Sequence, residues 1–516
     1  MRAGDTMGPM KLRWLLPMAT LTLRAATYYV DSGSGNDANA GTVEGRPWQT
    51  LMKVNAAALH PGDRVLFRSG SVWRGQLAPS ASGSEGSPIV FGRYGSGSLP
   101  HIDAAGQIED AVRLYNVQFI EVRNLEVTNR GREPAVRRGV HIFLDNFGTA
   151  KHVIVSGLYV HDVNGTNGNG DNAKDNGGII FRTKGDTQPS RFDGLVIERN
   201  IVWKVDRSAI AADSYHWPRT RWFPSLHVVI RDNFVADVGG DGIVPWATDG
   251  VVVEHNIALH CNRRAGSYNA GIWPWSTDNS LFQLNEAAFT HTTLDGQGFD
   301  SDFNSRHTLF QYNYGHDNEG GFMLICTPGK RDPAQNVGNV GTEVRHNISR
   351  NDRARIFHLS AATETNVHDN AIYVGPDLDV QMLIATNWDG WADGAVFRNN
   401  SFMVEGAARY GHEISHGKDG TYGIGPGWGP ASHIVFEGNR YAGRHIDRPE
   451  DPTGKVEATA GTPDLDGRRP APAWDWNPPQ FDPAHPEGFE AFLVQHRAWM
   501  MRLFERQFGE PVKLGR

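Results

Sequence analysis

Two cysteines in 516 residues exclude a disulfide-stapled scaffold. Past the amino-terminal leader no apolar run is long enough to cross a membrane. A net charge of −8 removes the basic footprint that a nucleic-acid partner requires. Amphipathic helical stretches are few, whereas 59 glycines favour turns and strands. An all-β chain remains. Its length would ordinarily imply several domains, but a solenoid adds core with every coil and can grow as one body.

The repeat that makes such a body is a strand read seven residues at a time. The segments are Arg138–Leu144, Gly177–Thr183, Ser208–Ser214, Asp241–Ala247, Ala270–Ser276, Gln297–Phe303, Gly320–Cys326, Arg355–Ala361 and Gln381–Asn387. Stacked, they put Val140, Ile179, Ile210, Ile243, Ile272, Phe299, Phe322, Phe357 and Leu383 in the third column. That column is core, and the fifth is apolar or small. By strand alternation the fourth and sixth columns face outward and are expected to be exposed. They hold His141, Arg182, Asp213, Trp246, Trp273, Trp275, Asp300, Asp302 and His358, a composition suited to sugar binding and acid–base chemistry.

A second ladder runs through Asn200, Asn233, Asn256, Asn285, Asn313, Asn347, Asn370, Asn400 and Asn439, each following a short strand. Its spacing wanders between 23 and 39 residues, as expected of coils with fixed strands and variable loops. Stacked Asn side chains hydrogen-bond one another at a tight turn and tolerate left-handed backbone there. The predicted fold is all-β, a single right-handed parallel β-helix.

The remaining segments frame that solenoid. Lys11 and Arg13 before the apolar run Trp14–Leu23, with Ala25 and Ala26 after it, predict a signal peptide over 1–26 and a secreted or periplasmic protein. The β-helix is expected over 27–445, capped by a short helix between Pro47 and His60. Residues 446–516 read as a Pro-rich strap and then an amphipathic helix over Glu487–Phe508, with Phe489, Phe492, Leu493, Trp499, Leu503 and Phe504 as its apolar stripe. Cys261 and Cys326 read as free thiols, Cys326 at an inward column.

The opening YYVDSGSGNDANAGT, PWQTLMKV and LHPGDRVLFRSG, together with the Asn ladder and the coil strands, resembles the right-handed parallel β-helix superfamily of secreted carbohydrate-active enzymes, the pectate lyase-like group. The resemblance covers Thr27 to about Tyr441. It implies a polysaccharide or oligosaccharide substrate and leaves hydrolysis and β-elimination both open. The block from GGDGIVPWATDG to HDNEGGFML is similar to bacterial right-handed β-helix repeat proteins, which implies no particular reaction.

The chemistry must therefore come from side chains. Asp300 and Asp302 lie two apart on one outward strand face, their Cα atoms about 6.5–7 Å apart. Inverting glycosidases keep their carboxyls about 6.5–9.5 Å apart, so an inverting acid–base pair is expected. Glu319 is the third catalytic candidate, although it lies four places before the Asp300 column, and Asp295 has the same difficulty of reach. Trp246, Trp273 and Trp275 offer flat faces to sugar rings, with Asp213, Arg306 and His358 as further substrate contacts. Trp388, Trp391 and Trp428 are candidate walls of the same groove.

The leading reading is a glycoside hydrolase that degrades polysaccharide without a cofactor or metal. A Ca²⁺-dependent polysaccharide lyase or uronan epimerase is the alternative, with Arg182 or Arg355 neutralising a uronate and the Asp pair ligating the cation. A non-catalytic glycan-binding solenoid is a third reading, and the Asp300–Asp302 pair counts against it.

Overall fold

The computed structural model describes residues 25–168, 174–265, 268–327, 332–458 and 476–515. The signal peptide expected over 1–26 falls almost wholly outside the described residues, as does most of the Pro-rich strap. Strands from Thr27–Val30 to Lys455–Glu457 stack in parallel into a solenoid with three faces, each coil pairing with the next.

One face carries Val229–Arg231, Val252–Glu254, Leu281–Gln283 and Leu309–Gln311 in register. After a two-residue corner the second face begins, with Phe234–Val238, Ile257–Leu259, Glu286–Ala288 and Tyr314–His316. The third face is the heptad strand. Ile210, Ile243, Ile272 and Phe299 pair across successive coils there, and each is buried.

The heptad register holds in every coil except Gly320–Cys326. Gly321 lies opposite Gln297 and Met323 opposite Phe299, so Met323, not Phe322, takes the third column. A one-residue slip reverses every side chain. Leu324 therefore joins Asp300 in the fourth column, and Cys326 turns outward beside Asp302 instead of inward.

The Asn ladder turns the corner between the first two faces. Each Asn is buried, and from Asn200 to Asn400 its Nδ2 donates to the Oδ1 of the Asn one coil on, as in Asn285 to Asn313 at 3.0 Å and Asn313 to Asn347 at 2.9 Å, while Asn439 ends the ladder on Asp451. The same Nδ2 also donates to a carbonyl of the preceding coil, such as Phe282 O for Asn313 at 3.0 Å. Left-handed backbone sits one residue earlier than expected, at Asp232, His255, Leu284, Tyr312 and His346. The Asn is thus a buried bracket, and its neighbour makes the turn. Asn313→Ala removes the bonds to Phe282 O and Asn347 and those accepted from Asn285, and strands a carbonyl, so a loss of about 1–3 kcal/mol is expected in denaturant unfolding.

Both ends of the expected frame are present. Helix α1 (Leu51–Asn55) is shorter than the sequence suggested. Thr50 caps it by accepting from Lys53 N at 3.1 Å, and Leu51 and Val54 close the end of the core. Helix α2 (Phe489–Phe508) lays its apolar stripe along the second face, against Ile201, Phe234 and Ile257 at one end and Tyr312, Tyr314 and Ile348 at the other. Gly509, in left-handed conformation with φ 71°, ends it.

Candidate active site

The outward columns are not an open shelf. Loops cover them, leaving a cavity of about 500 Å³ above the third face. Trp246, Trp273, Trp275, Asp300 and Asp302 come from the coils, as do Leu324 and Cys326. Lys174, Tyr268, Asn269, Asp295 and Trp388 arrive on loops, and His416 at the end of strand Ser401–His416. Under this cover Asp300 and Trp273 are buried rather than exposed, while Trp246, Trp275 and Asp302 are half-buried.

The aromatic wall follows from strand stacking. Trp246 and Trp275 pair directly across coils with ring centroids 4.1 Å apart. Trp275 stacks on Phe303 at 4.7 Å, and Trp217 packs edge-on against both. Trp273 is fixed by its Nε1 donating to Asp241 at 3.0 Å, and the Lys174 ammonium lies 4.3 Å over its ring. A sugar ring stacked on Trp275 is held equally in ground and transition states. Trp275→Ala is therefore expected to raise KM about tenfold while lowering kcat less, in steady-state kinetics on a cleaved oligosaccharide. An unchanged KM would remove Trp275 from the site.

Three carboxyls meet in the cavity. Asp302 accepts from Phe303 N at 2.5 Å and from Cys326 Sγ at 3.2 Å. Burial lifts its pKa to about 6 against those two donors, which favour the ionised form. Asp300 is held well above the usual carboxylate range, by burial first and then by the Asp302 and Asp295 charges. Burial followed by the Asp302 charge lifts Asp295 to about 7, opposed by Arg355.

Asp295, which seemed out of reach, arrives because the chain doubles back over Thr292–Gly296, with positive φ at Thr292 and Gly296. Arg355 holds this loop by donating to Thr293 O at 2.6 Å and Asp295 O at 3.1 Å, and it donates to Gly420 O of a covering hairpin at 2.8 Å. A Cβ on Gly420 would fall 2.4 Å from Thr293 O, so only glycine lets the two loops close.

Several expected site residues lie elsewhere. Glu319 stays at its turn, accepting from Thr292 N at 2.6 Å and facing His291 at 3.2 Å, outside the cavity. Asp213 is engaged by Arg182 at 2.8 Å, several coils away. Arg306 turns outward onto Asp278. His358 is wholly buried behind the wall, bonded to Thr386 Oγ1 at 2.7 Å and packed against Trp388 and Tyr422. Its burial holds the imidazole well below its usual pKa. Of the later tryptophans only Trp388 lines the cavity; Trp391 packs near His412 and Trp428 stacks on Phe436. Lys174, Trp217 and His416 had no signal at the sequence level because they lie outside the heptad pattern.

The fold is that of the parallel β-helix proteins. No family model matches the chain. Over 483 aligned residues it is 30% identical to the lacto-N-biosidase of Bifidobacterium longum subsp. longum, covering 75% of this chain. The chain spans only 29% of the length of that curated relative. Among solved structures, the native GH136 lacto-N-biosidase from Eubacterium ramulus aligns with TM-score 0.60 and 29% identity, over 69% of this chain and 64% of that one. Its selenomethionine derivative aligns with TM-score 0.63 and 28% identity, over 73% and 68%.

Proposed function

We propose that this chain is a secreted glycoside hydrolase that cleaves an oligosaccharide seated against Trp246 and Trp275. The observation that carries the reading is the meeting of Asp295, Asp300 and Asp302 in one aromatic-walled cavity. The likeness to lacto-N-biosidases supports an oligosaccharide substrate and makes a lacto-N-bioside the first compound to test.

The roles divide by environment. Asp302, held by two donors, is the carboxylate that attacks the anomeric carbon. Asp295, half-buried with a pKa near neutrality, is the proton donor to the leaving oxygen. Asp300 lies beneath them and stays protonated, so that the three do not repel as trianion. An Asp300 oxygen lies within 4.8 Å of an Asp302 oxygen, closer than the about 6.5–9.5 Å that inverting pairs keep for their water. Direct attack gives retention, not the inversion that Cα spacing alone suggested.

Two measurements check this. Product NMR is expected to show the starting anomer, and the rate should follow a bell in pH with limbs near about 6 and 7 that belong to the coupled set. Inversion would return the attack to water. Activity is expected to survive chelator, since the reading uses no cofactor.

The lyase alternative finds little support at the cavity. Arg182 is tied to Asp175 and Asp213, and Arg355 is spent on backbone carbonyls. Lys174 is paired with Asp241 at 3.0 Å. Among the described residues lining the cavity, no unpaired guanidinium or ammonium awaits a uronate.

A further inference from the structure

The floor of the cavity holds a donor set that the proposed hydrolysis does not need. Asp300, Asp302 and Cys326 bring two carboxylate oxygens and one sulfur within 4.8 Å of one another. The register sets this up: Gln297 opposite Gly321 turns Cys326 outward beside Asp302. Asp300 lines the cavity and is only 3% exposed, and its buried Oδ1 has no hydrogen-bond partner among the described residues. Buried polar atoms are nearly always partnered, so this oxygen points to a ligand. Asp295 adds a further acid, and Lys174, already paired with Asp241, is the nearest lining cation.

We propose that Asp300, Asp302 and Cys326 form a site for a thiophilic divalent cation of the zinc type, and that its occupation shuts off hydrolysis. The inhibitory half rests on the hydrolase reading above; the binding half does not. Three protein donors with a fourth position open to the cavity suit tetrahedral zinc. A sulfur donor selects against calcium and magnesium, which take oxygen. On binding, the Cys326 S–H and Asp300 O–H bonds break, both protons leave to solvent, and the freed sulfur and oxygen lone pairs bond the cation. Asp302 exchanges the thiol donor for the metal. Its carboxylate is then no longer free to attack carbon.

The test is a titration of the purified chain with Co²⁺, which reports a thiolate ligand through a near-ultraviolet charge-transfer band. A band saturating at one equivalent and displaced by Zn²⁺ is expected. Cys326→Ser should abolish it, and Asp300→Asn should weaken Co²⁺ binding at least about tenfold. No band in the wild type, or a band that persists in Cys326→Ser, overturns the site. Separately, Zn²⁺ should stop hydrolysis and chelator restore it, while the residual activity of Cys326→Ser resists zinc. Full turnover at saturating Zn²⁺ overturns the inhibitory half. If no substrate is cleaved at all, the hydrolase reading fails and the cobalt band still decides the binding half.

Discussion

Asp302→Asn is expected to lower turnover about 10³-fold or more while leaving the protein folded. The amide keeps the size and can still accept from Phe303 N and Cys326 Sγ, but it cannot attack an anomeric carbon. The same change is expected to stabilise. Burial raises the folded-state pKa of Asp302 from 3.8 to about 6, so its ionised form costs stability at every pH above the unfolded value. That cost grows up to about pH 6 and is constant beyond it. Removing it is worth on the order of 1–2 kcal/mol near neutrality, discounted for the part of the side chain that meets solvent. A higher melting temperature with lost activity marks a site whose charge is held for function. Lost activity with a lower melting temperature would instead make Asp302 a structural residue.

The second large effect is expected where α2 meets the solenoid. Glu286 is wholly buried and accepts from His496 of α2 at 2.6 Å and from His316 at 3.1 Å, while His316 also faces Asp317 at 2.9 Å. Despite burial, the two imidazoles hold Glu286 down at about 2. The two carboxylates hold His316 up at about 9. Glu286→Gln leaves the His316 cation without its buried partner, and breaking such a pair costs about 3–5 kcal/mol. Denaturant unfolding should show that loss, with the amides of α2 exchanging first.

The pH dependence of this latch has a definite sign. The Glu286 contribution is complete above 4.5, its unperturbed value, and is lost as pH falls through about 2. The His316 contribution is complete below 6.5 and is lost as pH rises through about 9. The latch is strongest between them. A Glu286→Gln protein as stable as wild type at pH 5.5 would show that the apolar stripe alone holds α2.

Much of this could be read from the chain because the third column and the Asn ladder answer to one constraint, a dry core repeated coil after coil. Val140, Ile179, Ile210 and Ile272 are buried as their column requires. The stripe from Phe489 to Phe504 likewise needed only helical spacing. Register failed where alternation disappears. In GGFMLIC both Phe322 and Met323 are apolar, and both are buried, so nothing in the pattern fixes which one faces in. That slip hid Cys326 from the site.

The site was half legible. Asp300, Asp302 and the three tryptophans sit on strands whose facing alternation dictates. Asp295 and Lys174 depend on loop paths, and His416 and His358 were missed or misplaced because a hairpin distant in sequence, Ser401–His416 with Tyr422–Gly425, covers that end of the sheet.

The central claim is that these carboxyls hydrolyse a glycosidic bond. Its most direct test is to incubate purified wild-type and Asp302→Asn protein with an oligosaccharide panel that includes a lacto-N-bioside, following reducing ends and near-ultraviolet absorbance together. Reducing ends should rise with the wild type, without an unsaturated chromophore, and should not rise with Asp302→Asn. A growing chromophore, or equal cleavage by both proteins, would contradict it.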